Sequence, residues 1–395
     1  MRILIHDYAG HPFQVQLSRE LARRGHDVLH AYCASLQTTP RGRMENGVPP
    51  TDQFQIHGIQ LDRPLQKFSF TTRWRQENEY GRLLAGVAEG FRPDVVLSGN
   101  TPLDAQRRLM WQCQTTSTRF IYWVQDLLGV ATHRILSRRS HLLGNTIGRY
   151  YTRLERDLLR ASDGVVLVTD DFRPIMADWS VSGDVRVIEN WAPLDEVPVR
   201  PKDNPWSRKN GLVDKTCLLY AGTLGMKHNP ELLLRLATRF RNDSEVRVVV
   251  ISQGLGADWL RARKAEMGLE NLVLLPFQDF ADMPDALATG DVLLAILEPE
   301  AGIFSVPSKV LTYLCAGRPT LLAVPAENLA ARLVRQSNTG IVVSPDDASA
   351  FVHGAERLIR CPRQRCEMGR AARSYAESRF CIASITDAFE QILLA

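Results

Sequence analysis

Short apolar runs alternate with stretches of helical periodicity along nearly the whole chain, and the alternation pauses once near the middle before starting again. Uninterrupted apolar runs suit strands buried on both faces, and helical segments between them suit the crossovers of a parallel sheet. In the first half the strand candidates are RILIHDY (2–8), DVLHAY (27–32), VVLSG (95–99), FIYWVQ (120–125), GVVLVT (164–169) and VRVIE (185–189). A short one lies near Phe54–Leu61, inside a segment (33–71) that otherwise reads as loop. The second half repeats the pattern with CLLYAG (217–222), VRVVVIS (246–252), LVLLPF (272–277), DVLLAIL (291–297), PTLLAV (319–324) and GIVVS (340–344). The pause itself, 190–213, mixes prolines with charges and has no period, as a linker does. A chain of 395 residues also exceeds what one hydrophobic core usually serves. The expectation is an α/β protein of two doubly wound, Rossmann-like parallel-sheet domains, 1–190 and 214–375, with a linker at 191–213 and closing helices at 376–395.

Open parallel sheets bind ligands beyond the carboxyl ends of their strands, so two such domains facing each other would leave a cleft lined by those loops. AGTLGMKH (221–228) follows a strand candidate and precedes a helical pattern. Its glycines permit close backbone approach to an anion, the helix points its positive end there, and Lys227 adds a charge. Gly222, Thr223, Gly225 and Lys227 are therefore candidates for holding a diphosphate; the plainer reading is a glycine turn beside a solvated lysine. In FSVPSKVLTYLCAGRP (304–319), Ser305 and Ser308 are cap-type hydroxyls and Lys309 falls in a first helical turn, against the helix dipole, which suits a nearby anion or else a side chain turned to solvent. Glu298 and Glu300 follow a strand and are suited to sugar hydroxyls.

AGHPFQ (9–14) follows the first strand, and Gly10, His11 and Gln14 are candidates for an acceptor; the alternative is a turn glycine with a capping histidine. No GxGxxG is present, which argues against a nicotinamide or flavin. Asp126, at the end of FIYWVQ, suits chemistry or hydroxyl recognition, or an N-cap. From Arg134 to Arg160 the sequence holds Arg134, Arg138, Arg139, Arg149, Arg153, Arg156 and Arg160 against Glu155 and Asp157. With Leu136, Leu142, Leu143, Ile147 and Tyr151 this is either a basic amphipathic surface for anionic lipid or a solvated charged face.

The formal charge of +4 carries no case for nucleic acid. Cys33, Cys113, Cys217, Cys315, Cys361, Cys366 and Cys381 form no CxxC pair, so reduced thiols in the cytoplasm are expected. MRILIHDYAG reads as a strand from the start and no apolar run approaches about 20 residues, so neither a leader nor a membrane span is expected.

The N-terminal strand with LSRELARRGHDV, YAGTLGMKHNPELL, LLPFQDFADMPDALATGDVLLA and SVPSKVLTYLCAGRPTLLAVPAENLAARLV with GIVVSPDD together resemble the group 1 (family 4) retaining glycosyltransferases of GT-B fold, over essentially the whole chain. The likeness is strongest to bacterial O-antigen and exopolysaccharide transferases of the colanic-acid and fucosamine type. It implies a C-terminal domain that holds a nucleotide sugar through Gly222, Thr223, Gly225 and Lys227, with Phe277 and Gln278 beside the base. It also implies a final helix, 376–395, that returns to the N-terminal domain, and an N-domain catalytic-face carboxylate at Asp126. The family's paired glutamates would fall at Phe304 and Thr312, so both carboxylates are missing; Ser305, Ser308 and Lys309 with backbone amides are expected in their place. The reaction implied is retaining transfer to a lipid-linked saccharide, with Lys227 and Lys309 in place of an obligatory metal and no cofactor. A sugar-nucleotide epimerase of the same architecture and a non-catalytic partner subunit are the alternatives.

Overall fold

A computed structural model of the protein describes residues 1–36, 53–63, 65, 70–99, 101–225, 228–298 and 308–395. These fall into two compact units, Met1–Asn190 with Ile382–Ala395, and Trp191–Cys381.

The strands of the first unit are β1 (Arg2–Asp7), β2 (Asp27–Cys33), β3 (Phe54–Ile59), β4 (Val95–Gly99), β5 (Arg119–Val124), β6 (Gly164–Leu167) and β7 (Asp184–Val187). They pair in parallel in the order β3-β2-β1-β4-β5-β6-β7. Its helices are α1 (Pro12–Arg23), α2 (Phe70–Phe91), α3 (Leu103–Thr115), α4 (Leu128–Arg139), α5 (His141–Leu143), α6 (Arg149–Ala161) and α7 (Arg173–Asp178), with a π-helical turn at Gly144–Gly148. Proline opens α1, whose missing N–H costs nothing in a first turn. Val15, Leu17 and Leu21 are buried on its inner face, and the chain leaves it through Gly25 at φ +93°.

The strand order reverses between β1 and β4, and a buried polar network underlies that point. His6 Nδ1 lies 2.9 Å from Ser98 Oγ and His6 Nε2 2.8 Å from Tyr80 OH, while Ser98 Oγ donates to Gln106 Oε1 at 2.7 Å. Burial drives the His6 pKa down to about 3, so its ring is neutral and serves as a hydrogen-bonding part of the core.

The second unit carries β8 (Thr216–Ala221), β9 (Val246–Ile251), β10 (Leu272–Leu275), β11 (Val292–Ile296), β12 (Thr320–Ala323) and β13 (Gly340–Val343), parallel in the order β10-β9-β8-β11-β12-β13. Its helices are α8 (Pro205–Lys209), α9 (Glu231–Arg239), α10 (Leu255–Met267), α11 (Met283–Thr289), α12 (Lys309–Cys315), α13 (Leu329–Gln336), α14 (Ala348–Arg360) and α15 (Pro362–Arg379). The reversal here lies between β8 and β11.

Each expected strand occurs, while α2 begins at Phe70, inside the segment read as loop. Residues 191–213, read as a linker, belong to the second unit, where Trp191 and Trp206 are buried and Asn204 and Ser207 form a capping box on α8. The return to the first unit begins at Ile382, six residues later than 376, as α16 (Ile382–Leu393). Arg24 holds that helix through Asp387 and Glu390, at 2.6 Å each, and Phe389 meets the Trp123 ring edge-on at 4.8 Å. The seven cysteines form no disulfide among the described residues.

Candidate active site

In the second unit the site starts from the end of β8. Gly222 has φ +131°, a conformation side chains rarely adopt, and a Cβ placed there would meet the Lys309 ammonium at 3.1 Å. Lys309 opens α12 and Tyr313 lies four residues on, so both fall on one helical face. That face docks on the carboxyl end of β8. Tyr313 OH accepts the Ala221 N–H at 3.0 Å, and Lys309 Nζ donates to Tyr220 OH at 2.6 Å while lying 3.8 Å from the Tyr220 ring centre. Burial pushes the Tyr220 phenol well above its ordinary range, so the hydroxyl is neutral and Lys309 alone brings charge. Tyr220 in turn donates to Thr223 O at 2.9 Å. An ammonium is thereby held against a glycine turn at the point where the sheet order reverses, the usual ligand position of such sheets.

The backbone amides contribute less than the sequence suggests. Gly222 N–H donates to Ile251 O at 3.0 Å and Gly225 N–H to His228 Nδ1 at 3.1 Å. The first turn of α9 carries Glu231, whose N–H goes to Asn229. Gly225 is thus a turn residue closed by His228, and Lys309 brings a positive charge to the turn from α12. Gln278, expected beside the base, has both ends engaged: Trp206 Nε1 donates to its Oε1 at 2.9 Å and its Nε2 donates to Pro276 O at 2.7 Å. Phe277 is half-buried beyond β10, and Thr223 and Ser308 are exposed. Ser308 is in helical conformation and makes no side-chain cap. Thr312 is half-buried in α12. Lys227, Glu300, Phe304 and Ser305 lie outside the described residues. Tyr220 and Tyr313 escaped the sequence reading, although the four-residue spacing from Lys309 was a usable signal.

In the first unit the end of β1 carries a carboxylate that the sequence reading passed over. Asp7 is fully buried and accepts the Ala9 N–H at 3.1 Å, the His11 N–H, and His11 Nδ1 at 3.0 Å. Burial alone would raise its pKa, but the charge and hydrogen bonds of His11 hold it below the ordinary carboxylate value. Gly10 shapes this turn at φ +73°. Gln14, one helical turn beyond Gly10 and His11, is wholly buried. Asp7, Gly99 and Trp123 are register neighbours across β1, β4 and β5, so this group also sits at a reversal of sheet order.

Asp126 follows β5 and is half-buried. It is not the N-cap of α4; that position is Leu127, and the helix start is served from 26 residues away by Glu155 of α6, whose Oε2 accepts the Gly129 N–H at 3.0 Å. Only glycine fits at 129, where a Cβ would lie 2.5 Å from Tyr151 O. Burial raises the Glu155 pKa to about 8 against the opposing hydrogen bonds of Gly129, Val130 and Leu128. Among the described residues no group of three or more His, Cys, Asp or Glu is placed to hold a metal ion.

The profile of the Glycosyl transferases group 1 family matches residues 215–361, and that of the Glycosyl transferase 4-like domain matches residues 11–191. The chain belongs to the group 1 glycosyltransferases. A protein of Escherichia coli (strain K12) named as a colanic acid biosynthesis glycosyl transferase, WcaI, is 24% identical over 239 residues, 59% of this chain and 58% of the relative, so the match spans little more than half of that protein. HepE of Anabaena, solved with UDP and glucose, superposes over 100% of this chain and 99% of its own with a TM-score of 0.74 at 15% identity. WaaG, a glycosyltransferase involved in lipopolysaccharide biosynthesis, does so over 100% and 99% with 0.68 at 16%. The two parallel sheets with flanking helices are the GT-B fold of this glycosyltransferase.

Proposed function

We propose that this glycosyltransferase moves a glycosyl unit from a nucleotide sugar to a lipid-linked saccharide, with retention of configuration, in the building of a bacterial surface polysaccharide of the O-antigen or exopolysaccharide kind. The observation that carries the proposal is the Lys309 ammonium held against Gly222 at the end of β8. The bond that breaks joins the anomeric carbon to the diphosphate, and Lys309, with Lys227, stabilises the charge that leaves, which gives the reaction a route without an obligatory metal. Gly222, Thr223, Ser308, Phe277, Ser305 and Glu300 belong to the donor side. The acceptor hydroxyl attacks from the face the diphosphate leaves, and the departing phosphate oxygen takes its proton. Gly10, His11 and Gln14 serve the acceptor, and Asp126 orients hydroxyls. The names of WcaI and WaaG support the pathway, and the UDP and UDP-glucose complexes of HepE support the donor class.

A thermal-shift screen against UDP, GDP, ADP, CMP and dTDP species identifies the nucleotide, because a ligand at about 100 times its Kd raises apparent stability by roughly 2.7 kcal/mol. Proton NMR of the product then reads its anomeric configuration; inversion, or loss of turnover with EDTA, would count against the mechanism.

The acceptor class also calls for a membrane surface, and we place it at 134–160. Arg134, Arg138, Arg149 and Arg153 are exposed there beside Ile135, Leu142 and Leu143, the last three 58%, 72% and 39% exposed. A 350 Å³ apolar depression lined by Thr71, Trp74, Thr146, Ile147, Tyr150 and Tyr151 adjoins them. No helix among the described residues is long and apolar enough to cross a membrane; the attachment we propose is peripheral, through this basic and apolar face. The protein should float with phosphatidylglycerol vesicles and not with phosphatidylcholine ones, and Leu142→Asp with Leu143→Asp should reduce flotation severalfold. Equal flotation with both vesicle types would remove the charge argument.

A further inference from the structure

Neither the Oε1 nor the Nε2 of Gln14 has a hydrogen-bond partner among the described residues, and both atoms are buried. A buried amide with two unmade hydrogen bonds destabilises a fold, and an apolar side chain of the same length would relieve it. Its position gives a reason for its presence. Nε2 lies 3.7 Å from where a Cβ on Gly99 would stand, so the amide rests over the end of β4, at the reversal of sheet order.

The surroundings restrict what the amide can meet. Asp7 ends the neighbouring strand as a carboxylate already paired with His11 at 3.0 Å, so the pair offers an incoming anion no spare positive charge. The first turn of α1 offers an anion little: Pro12 has no N–H, the His11 N–H goes to Asp7, and the Gln14 N–H goes to His11 O. A carboxamide presents one donor face and one acceptor, which matches a neutral hydroxyl pair. His11 turns Nδ1 to Asp7, so Nε2 occupies the opposite edge of a ring whose side chain is 35% exposed.

We infer that Gln14 and His11 form a hydroxyl-reading subsite that takes the neutral terminal sugar of the acceptor, separate from any diphosphate of its carrier. The inference rests on the reading above that the first unit serves the acceptor. Gln14 is its specificity-determining residue.

The test compares the full-length protein with Gln14→Met, and with Gln14→Leu in case the first fails to fold. Melting temperature and saturation-transfer NMR with methyl glycosides of glucose, galactose, mannose and fucose are measured with pyrophosphate present to occupy the anion site of the second unit. The expected result is a melting temperature equal to or above that of the wild type, with ring-proton signals for at least one glycoside in the wild type and at least a fivefold loss in the variant. A melting temperature lowered by several degrees would show that the amide has a structural partner and overturn the inference. So would signals that persist in the variant, are absent from the wild type, or appear only when pyrophosphate is left out. Failure of every nucleotide to bind would sink the transferase proposal and leave these sugar readings interpretable, so the two failures are distinguishable.

Discussion

Lys309→Met is expected to lower kcat/KM by about 10²–10³-fold while shifting the melting temperature by no more than a few degrees. The asymmetry follows from what the ammonium touches. Its contacts with Tyr220, the hydroxyl at 2.6 Å and the ring at 3.8 Å, are worth about 1–2 kcal/mol together, and methionine keeps the apolar stem on that ring. Tyr220 retains its hydrogen bond to Thr223 O, and α12 stays anchored through Tyr313. The Tyr220 contacts that the variant gives up therefore carry little structural weight. The effect of the lost charge on a departing diphosphate is larger, because Gly222 and Gly225 donate their amides within the protein and the turn then depends on its ammonium groups, Lys309 among them. Steady-state kinetics with a saturating acceptor, beside a thermal melt, checks both halves. A variant that unfolds, or one that turns over at the wild-type rate, contradicts the assignment.

Glu155→Gln is expected to flatten the dependence of stability on pH and to make the protein more stable near pH 8 by on the order of a few kcal/mol. Glu155 titrates at about 8 in the folded chain against an ordinary 4.5. Below 4.5 both states carry the proton and the full stability is present. Between the two values only the folded state holds it, so stability falls as pH rises, and above about 8 the loss is complete. Glutamine resembles the protonated acid and can still accept an N–H from the start of α4, as Glu155 accepts from Gly129. Urea unfolding from about pH 5 to about pH 8 reads the slope directly. A profile in the variant as steep as in the wild type would mean that another group controls it.

The sheets were legible because strands buried on both faces are written as apolar runs, and the glycine turn after β8 announced itself by position. What stayed hidden depends on partners remote in sequence. The Gly225 amide was open to an anion until His228 was seen to close the turn, and Gln278 was available to a base until Trp206, 72 residues away, was seen to hold it. For Asp126 a site carboxylate and a helix cap were both open from sequence; the cap reading falls because Glu155, from another helix, meets the start of α4. The proline-rich stretch at 191–213 lacks periodicity yet is packed, since its two buried tryptophans anchor it without any repeat. Asp7 was overlooked because a carboxylate inside an apolar strand reads as an interruption, whereas its role comes from His11 four residues on.

The most direct test of the account is a calorimetric titration of the wild type and Lys309→Met with UDP, and with the other nucleoside diphosphates if UDP is silent. The account predicts one site per chain and about tenfold or greater weakening in the variant. Absence of binding by every nucleoside diphosphate, or equal affinity in the two proteins, would contradict the claim that Lys309 at the Gly222 turn grips the donor.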